Sequence, residues 1–138
     1  MPRGGGSLKR YVLDAGVLAL FFAGREEARE YVEAAYRGGA KVYMCEVNVA
    51  EFLYNYARVF GWGAALVRHA LLRSSPIVFV EADEELTVKA AELKLKHYRE
   101  LSLADCYLIA LADSVRGVIV TTDSRVKRMR GRGVVLLS

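Results

Sequence analysis

Glutamine is absent from the 138 residues and asparagine occurs only at Asn48 and Asn55, although a quarter of the chain is charged. A shortage of thermolabile amides beside abundant charge is the bias of hyperthermophilic proteins, so a thermophilic source is expected. Cysteine and histidine are almost as scarce. Cys45 and Cys106 lack the spacing of a zinc knuckle, and His69 and His97 fall on separate predicted helices with no second ligand nearby in sequence. These four read as packing or surface residues, while an intracellular thermophilic protein leaves a Cys45–Cys106 disulfide open. No run approaches the ~20 apolar residues of a membrane span, the stretch 15–23 being too short, and no cleavable signal opens the chain, so a cytoplasmic protein with no membrane contact is expected.

What is present is mostly hydrophobic: 54% of the chain, enough for one domain with a real core and too short for a second. Residues 1–7, with three consecutive glycines, read as a flexible lead-in to a single domain over 8–138. No strand precedes Gly4–Gly6 and no Gly-Lys-Ser/Thr ending follows, so the run is not a phosphate loop. The net charge of +4 favours polyanionic partners without identifying one.

Hydrophobic periodicity predicts strands at 10–13, 41–44, 76–80, 118–120 and 134–137. Between them, helices are predicted over 15–22, 25–37, 47–60, 64–73, 83–101 and from a Ser102 cap through Val115. Ala28, Tyr31, Val32, Ala35 and Tyr36 form a buried-stripe pattern in the second helix. Tyr31, Tyr36, Tyr54, Tyr56 and Tyr98 read as core stripe rather than base-stacking platform, and Trp62, between Gly61 and Gly63, as an interface residue or a loop anchor. Strands written as near-continuous Val/Ile/Leu runs and alternating with helices imply an α/β sandwich around a parallel sheet.

Four acids stand where these segments end or pack: Asp14 in YVLDAG, Glu51 in VNVAEFLYNYA, Asp105 in LSLADCYLIALA and Asp123 in VIVTTDSRV. In open parallel sheets the ligand site lies beyond the carboxyl ends of the strands. Asp14 and Asp123 follow strands, and helices carrying Glu51 and Asp105 need only lean over the same crevice to complete a set of hard oxygen donors suited to a divalent cation. Each aspartate also has a purely structural reading. Asp14 and Asp123 fit helix N-caps, and Ser102 with Asp105 fits a capping box. Glu51 is flanked by Val49, Ala50, Phe52 and Leu53, where a charge is costly unless paired, a solvated face being the alternative. Arg125, Lys127, Arg128, Arg130 and Arg132 crowd the stretch after Asp123, either as a solvated helix or as contacts to RNA phosphates.

The order and context of these acids resemble the PIN domain, and within it the VapC toxins of type II toxin–antitoxin pairs, over residues 11–137. The markers are the strand ending in Asp14, Val49-Ala50-Glu51-Phe52, Leu101-Ser102-Leu103-Ala104-Asp105, which is the most specific, and Thr121-Thr122-Asp123. The resemblance implies a three-layer α/β/α fold with strand order 3-2-1-4-5. It also implies Mg²⁺ or Mn²⁺ at Asp14, Glu51, Asp105 and Asp123 with Thr121 as a supporting hydroxyl, and RNA cleavage by a homodimer held by a small antitoxin. In this chain Ala15 and Gly16 stand where relatives commonly carry Thr and then Ser or Asn, so a hydroxyl near the site is missing. Val126 and Met129 replace a frequent aromatic after the last aspartate. A receiver-like phosphotransfer domain fits less well, since Glu81 follows the third strand where a phosphorylated aspartate would stand, and only Ser138 follows the last. The remaining alternatives are an RNA-processing nuclease outside a toxin pair and a non-catalytic RNA- or protein-binding PIN relative.

Overall fold

The computed structural model describes residues 8–138, so the proposed lead-in over 1–7 lies outside the described residues. The chain runs β1 (Lys9–Leu13), α1 (Ala15–Phe22), α2 (Glu26–Arg37), β2 (Ala40–Cys45), α3 (Glu46–Phe60) and α4 (Trp62–Arg73). It continues through β3 (Val78–Val80), α5 (Glu84–Lys96), α6 (Leu103–Val115), β4 (Val118–Thr121), α7 (Ser124–Arg130) and β5 (Val134–Leu136). The five strands form one parallel sheet in the expected order, β3-β2-β1-β4-β5.

Alternation of side chains along β1 builds the three layers. Leu13 packs into a core with Val17 and Leu18 of α1, Val32 of α2 and Phe52 of α3. Val12 points the other way, into a core with Leu108 and Leu111 of α6, Leu86 of α5 and Val126 of α7. Central strands buried on both faces have no room for polar residues, which is why they read as unbroken apolar runs.

Three expectations are corrected. The predicted 83–101 helix stops at Lys96, because the Lys94 ammonium donates to the carbonyls of Tyr98 (3.0 Å) and Leu101 (2.7 Å) and stitches a turn that buries Leu101. Tyr36, Tyr54 and Tyr98 are 61%, 54% and 69% exposed rather than core, the α2 stripe being satisfied by Ala28 and Val32. Pro76 precedes β3 instead of starting it, and pairing begins at Val78. Cys45 and Cys106 belong to the same core cluster and are buried free thiols.

Candidate functional site

The adjacency of β1 and β4 decides where the acids meet. Leu13 pairs with Val120, and the Asp14 N–H extends the ladder by donating to the Val120 carbonyl at 3.0 Å. Asp14 therefore lies beside Thr121 at the carboxyl end of the sheet. The Thr121 hydroxyl donates to Asp14 Oδ2 at 2.5 Å and accepts from the Asp123 N–H at 3.0 Å. One buried hydroxyl thus ties two acids that are far apart in sequence.

The helical acids arrive by equally specific contacts. Asp105 is the third residue of α6 and closes a capping box: its N–H donates to Ser102 Oγ, and its Oδ2 accepts from the Ser102 N–H, both at 3.1 Å. Asn48, fully buried on α3, donates to the Ala104 carbonyl at 3.2 Å and so locks α3 against the start of α6. Glu51 lies three residues further along α3, on the face that Asn48 has fixed. Asn48 was missed in the sequence, although a buried amide in an apolar helix one turn before an acid is a readable signal. Its Oδ1 is buried without a hydrogen-bond partner.

Capping and clustering coexist at these residues. Asp14 Oδ1 accepts from the Ala15 N–H at 2.7 Å and Asp123 Oδ1 from the Arg125 N–H at 2.8 Å, so both aspartates cap helices as well as facing the other acids.

Electrostatics show the convergence. Burial raises the Asp14 carboxyl, and the charges of Asp105 and Asp123 add to the rise, against the opposing Thr121 hydrogen bond. Burial also raises Asp105, with Asp123 contributing and Ser102 opposing. Glu51 is pushed from 4.5 up to about 7, first by burial and then by Asp14, Asp105 and Asp123 together. Asp123 goes the other way. Burial would raise it, but the Arg125 guanidinium, whose Nε and Nη2 lie 3.1 and 3.0 Å from its two oxygens, holds it below the usual carboxylate range.

The four carboxyl groups, three of them raised above their ordinary values, are oxygen donors of the type that a hard divalent cation takes. Asp14, Asp105, Asp123 and Glu51 are the residues that could hold it. As the side chains stand, no group of three or more His, Cys, Asp or Glu among the described residues is set around a common point for an ion. The physical reason is local: Asp14 is engaged by Thr121 and Ala15, and Asp123 is turned onto Arg125.

A Cβ at residue 16 would stand 2.1 Å from Thr122 Oγ1, so a larger residue there would require the exposed Thr122 side chain to turn away from the first turn of α1. Beside the acids, a groove of about 440 Å³ between α1 and α3 is lined by Ala15, Gly16, Phe52, Asn55, Tyr56 and Arg58.

The basic cluster divides on inspection. Arg125 is paired with Asp123, Lys127 Nζ donates to the Val134 carbonyl at 3.0 Å, and Arg130 lies 3.1 Å from Asp113. Arg128 is exposed and has no ion-pair partner among the described residues.

Comparison with known proteins accords with this geometry. Residues 11–132 match the family model of the PIN domain. No curated protein matches the chain by sequence. Among solved structures, a toxin–antitoxin complex from Klebsiella pneumoniae superposes with a TM-score of 0.68 at 19% identity, covering 91% of this chain and 95% of that one. VapBC2 from Rickettsia felis, bound to a DNA fragment from its promoter, gives 0.71 at 14% identity, covering 93% and 97%. Mycobacterium tuberculosis VapC20, a toxin that cleaves the sarcin–ricin loop, gives 0.69 at 19% identity, covering 86% and 94%.

Proposed function

Because the chain belongs to the PIN-domain family, we propose that it is a divalent-metal-dependent ribonuclease acting on single-stranded or structured RNA as the toxin of a toxin–antitoxin pair. The observation that carries this reading is the shared setting of Asp14, Glu51 and Asp105 at the carboxyl end of the sheet: burial raises all three, and the charges of Asp105 and Asp123 add to Asp14, those of Asp14, Asp105 and Asp123 to Glu51, and that of Asp123 to Asp105. A pocket of that kind is unfavourable without a counter-charge and gains most from a cation.

Asp14, Asp105 and Asp123 would hold Mg²⁺ or Mn²⁺. Bound there, the ion would polarise a phosphoryl oxygen and ease deprotonation of an attacking water. The chain's own residues supply the rest. Thr121 fixes Asp14 and the backbone before Asp123, while Ser102 fixes Asp105. Glu51, whose carboxyl is pushed up to about 7 by burial and by the neighbouring acids, would orient a water or take its proton at a carboxylate oxygen. Arg125 neutralises Asp123 in the absence of a cation, and with Arg128 it offers phosphate contacts beside the acids, Lys127 and Arg130 serving that role only if they leave their internal partners.

A small antitoxin, a second copy of the chain and the cytoplasm as the place of action complete the proposal. It is supported by the toxin–antitoxin complexes among the structural neighbours and by an exposed apolar surface at Val59, Phe60, Trp62, Leu66 and Val67 beside the groove. No helix of the described residues is long and apolar enough to cross a membrane.

Single-stranded RNA incubated with the purified protein is expected to be cut with Mg²⁺ or Mn²⁺ and left whole with EDTA. Gel analysis of a labelled RNA reads the result. Cleavage that survives exhaustive chelation would remove the metal from the reading, and an RNA left intact at every ion tested would remove the ribonuclease.

A further inference from the structure

The strands that end in acids begin in bases. Lys9 and Arg10 open β1, whose far end is Asp14, and Arg116 stands two residues before β4, whose far end leads to Asp123. At this opposite end lies a depression of about 590 Å³ in which Tyr11, Val118 and Val135 meet Lys9, Arg10 and Arg116, and no acidic residue lines it. All three cations are exposed, and the three apolar residues are half-buried.

Helix packing accounts for only part of this cluster. Arg10 Nη1 donates to the Val115 carbonyl at 3.0 Å, a normal use of a cation at the end of α6. Lys9 and Arg116 have no hydrogen-bond or ion-pair partner for their side chains among the described residues. Arg116 is also the one non-glycine residue among them with positive φ, at 55°, where the chain turns out of α6. Glycine is the usual occupant of such a helix end because it has no Cβ to strain. An arginine kept there puts a charge on the rim of the depression at a conformational cost that glycine would not incur.

We propose that this basic depression is a second RNA-binding site, which grips the phosphate backbone away from the acidic crevice and sets a base against the apolar floor. The proposal rests on the ribonuclease reading for its choice of ligand. Cations around an apolar floor suit a single strand, whose phosphates take the charge and whose flat bases take the apolar surface. The separation is useful, since Lys9 and Asp14 lie five strand steps apart, about 16 Å. A strand held at both ends of β1 is anchored by cations remote from the carboxylates that would repel it.

The test is fluorescence anisotropy of the full chain with a labelled oligouridine RNA in EDTA, over a series of salt concentrations, for wild type and for the Lys9→Ala/Arg116→Gly double variant. Binding in EDTA is read without cleavage, so it stands or falls separately from the ribonuclease proposal. Loss of two phosphate contacts is expected to weaken binding roughly tenfold at low salt and to flatten the salt slope by about 1.4. Arg116→Gly alone is expected to melt at the same temperature as wild type or higher, since glycine relieves the positive φ. Polyglutamate at equal charge is expected to compete poorly because it has no base for the floor. Unchanged affinity and slope would overturn the site, as would weakened binding that follows a lowered melting temperature. Equal competition by polyglutamate would overturn its assignment to nucleic acid.

Discussion

Asp105→Asn is expected to cut RNA roughly a thousandfold more slowly than wild type, the loss of several kcal/mol of transition-state stabilisation that a missing ligand to the catalytic ion implies. The metal-free variant is expected to melt no lower than wild type. Asparagine keeps an oxygen to accept from the Ser102 N–H, so the capping box survives, while a charge that repels Asp123 and Glu51 is gone. Stability and activity thus move in opposite directions, which a purely structural role cannot produce. A cap alone would cost about 1 kcal/mol when lost and leave cleavage intact. Thermal melting in EDTA beside single-turnover cleavage in Mn²⁺ reads both. An Asp105→Asn protein that cuts at the wild-type rate would take Asp105 out of the reacting site.

The second large effect is a stability that falls with rising pH and is restored by metal. The carboxyls of Glu51, Asp14 and Asp105 are raised in the folded chain, so their stabilising contribution is fully present below the unfolded values of 4.5 and 3.8. As pH rises the unfolded chain ionises first, and that contribution is lost, for Glu51 by about pH 7. After discounting for Glu51's partial exposure, this residue alone accounts for about 1–2 kcal/mol, several degrees of melting temperature in a domain of this size. Asp123, held low by Arg125, has the opposite sense: its contribution is present above 3.8 and lost on acidification. Ion binding requires ionised ligands, so the Mn²⁺-induced rise in melting temperature is expected to be larger at pH 8 than at pH 5. An increment independent of pH would mean that the ion binds elsewhere.

The sequence carried the sheet and the acids because both are written locally. An apolar run that stops at an aspartate marks a strand end, and Ser102 three residues before Asp105 marks a helix start, whichever role the acid has. In the structure Asp14 gives one oxygen to the Ala15 N–H as a cap and the other to Thr121, so capping engages only one of its two oxygens. What escaped was long-range. Nothing near residue 16 announces that Thr122 will press on its Cα, and nothing near Arg130 announces Asp113. The end of α5 escaped for another reason, since helical periodicity continues past Lys96 while the Lys94 bonds to Tyr98 and Leu101 turn the chain. The exposed Tyr36, Tyr54 and Tyr98 show the limit of periodicity itself, which places residues on a face without saying how wide the covered stripe is.

Anomalous diffraction at the manganese edge from crystals grown with Mn²⁺ tests the central claim most directly. The account predicts a peak at the carboxyl end of β1 and β4, with oxygens of Asp14, Asp105 and Asp123 at about 2.0–2.2 Å as first-row divalent ions require, and the Arg125 guanidinium moved off Asp123. Crystals saturated with Mn²⁺ that show no peak between these carboxylates, with Arg125 still on Asp123, would contradict it.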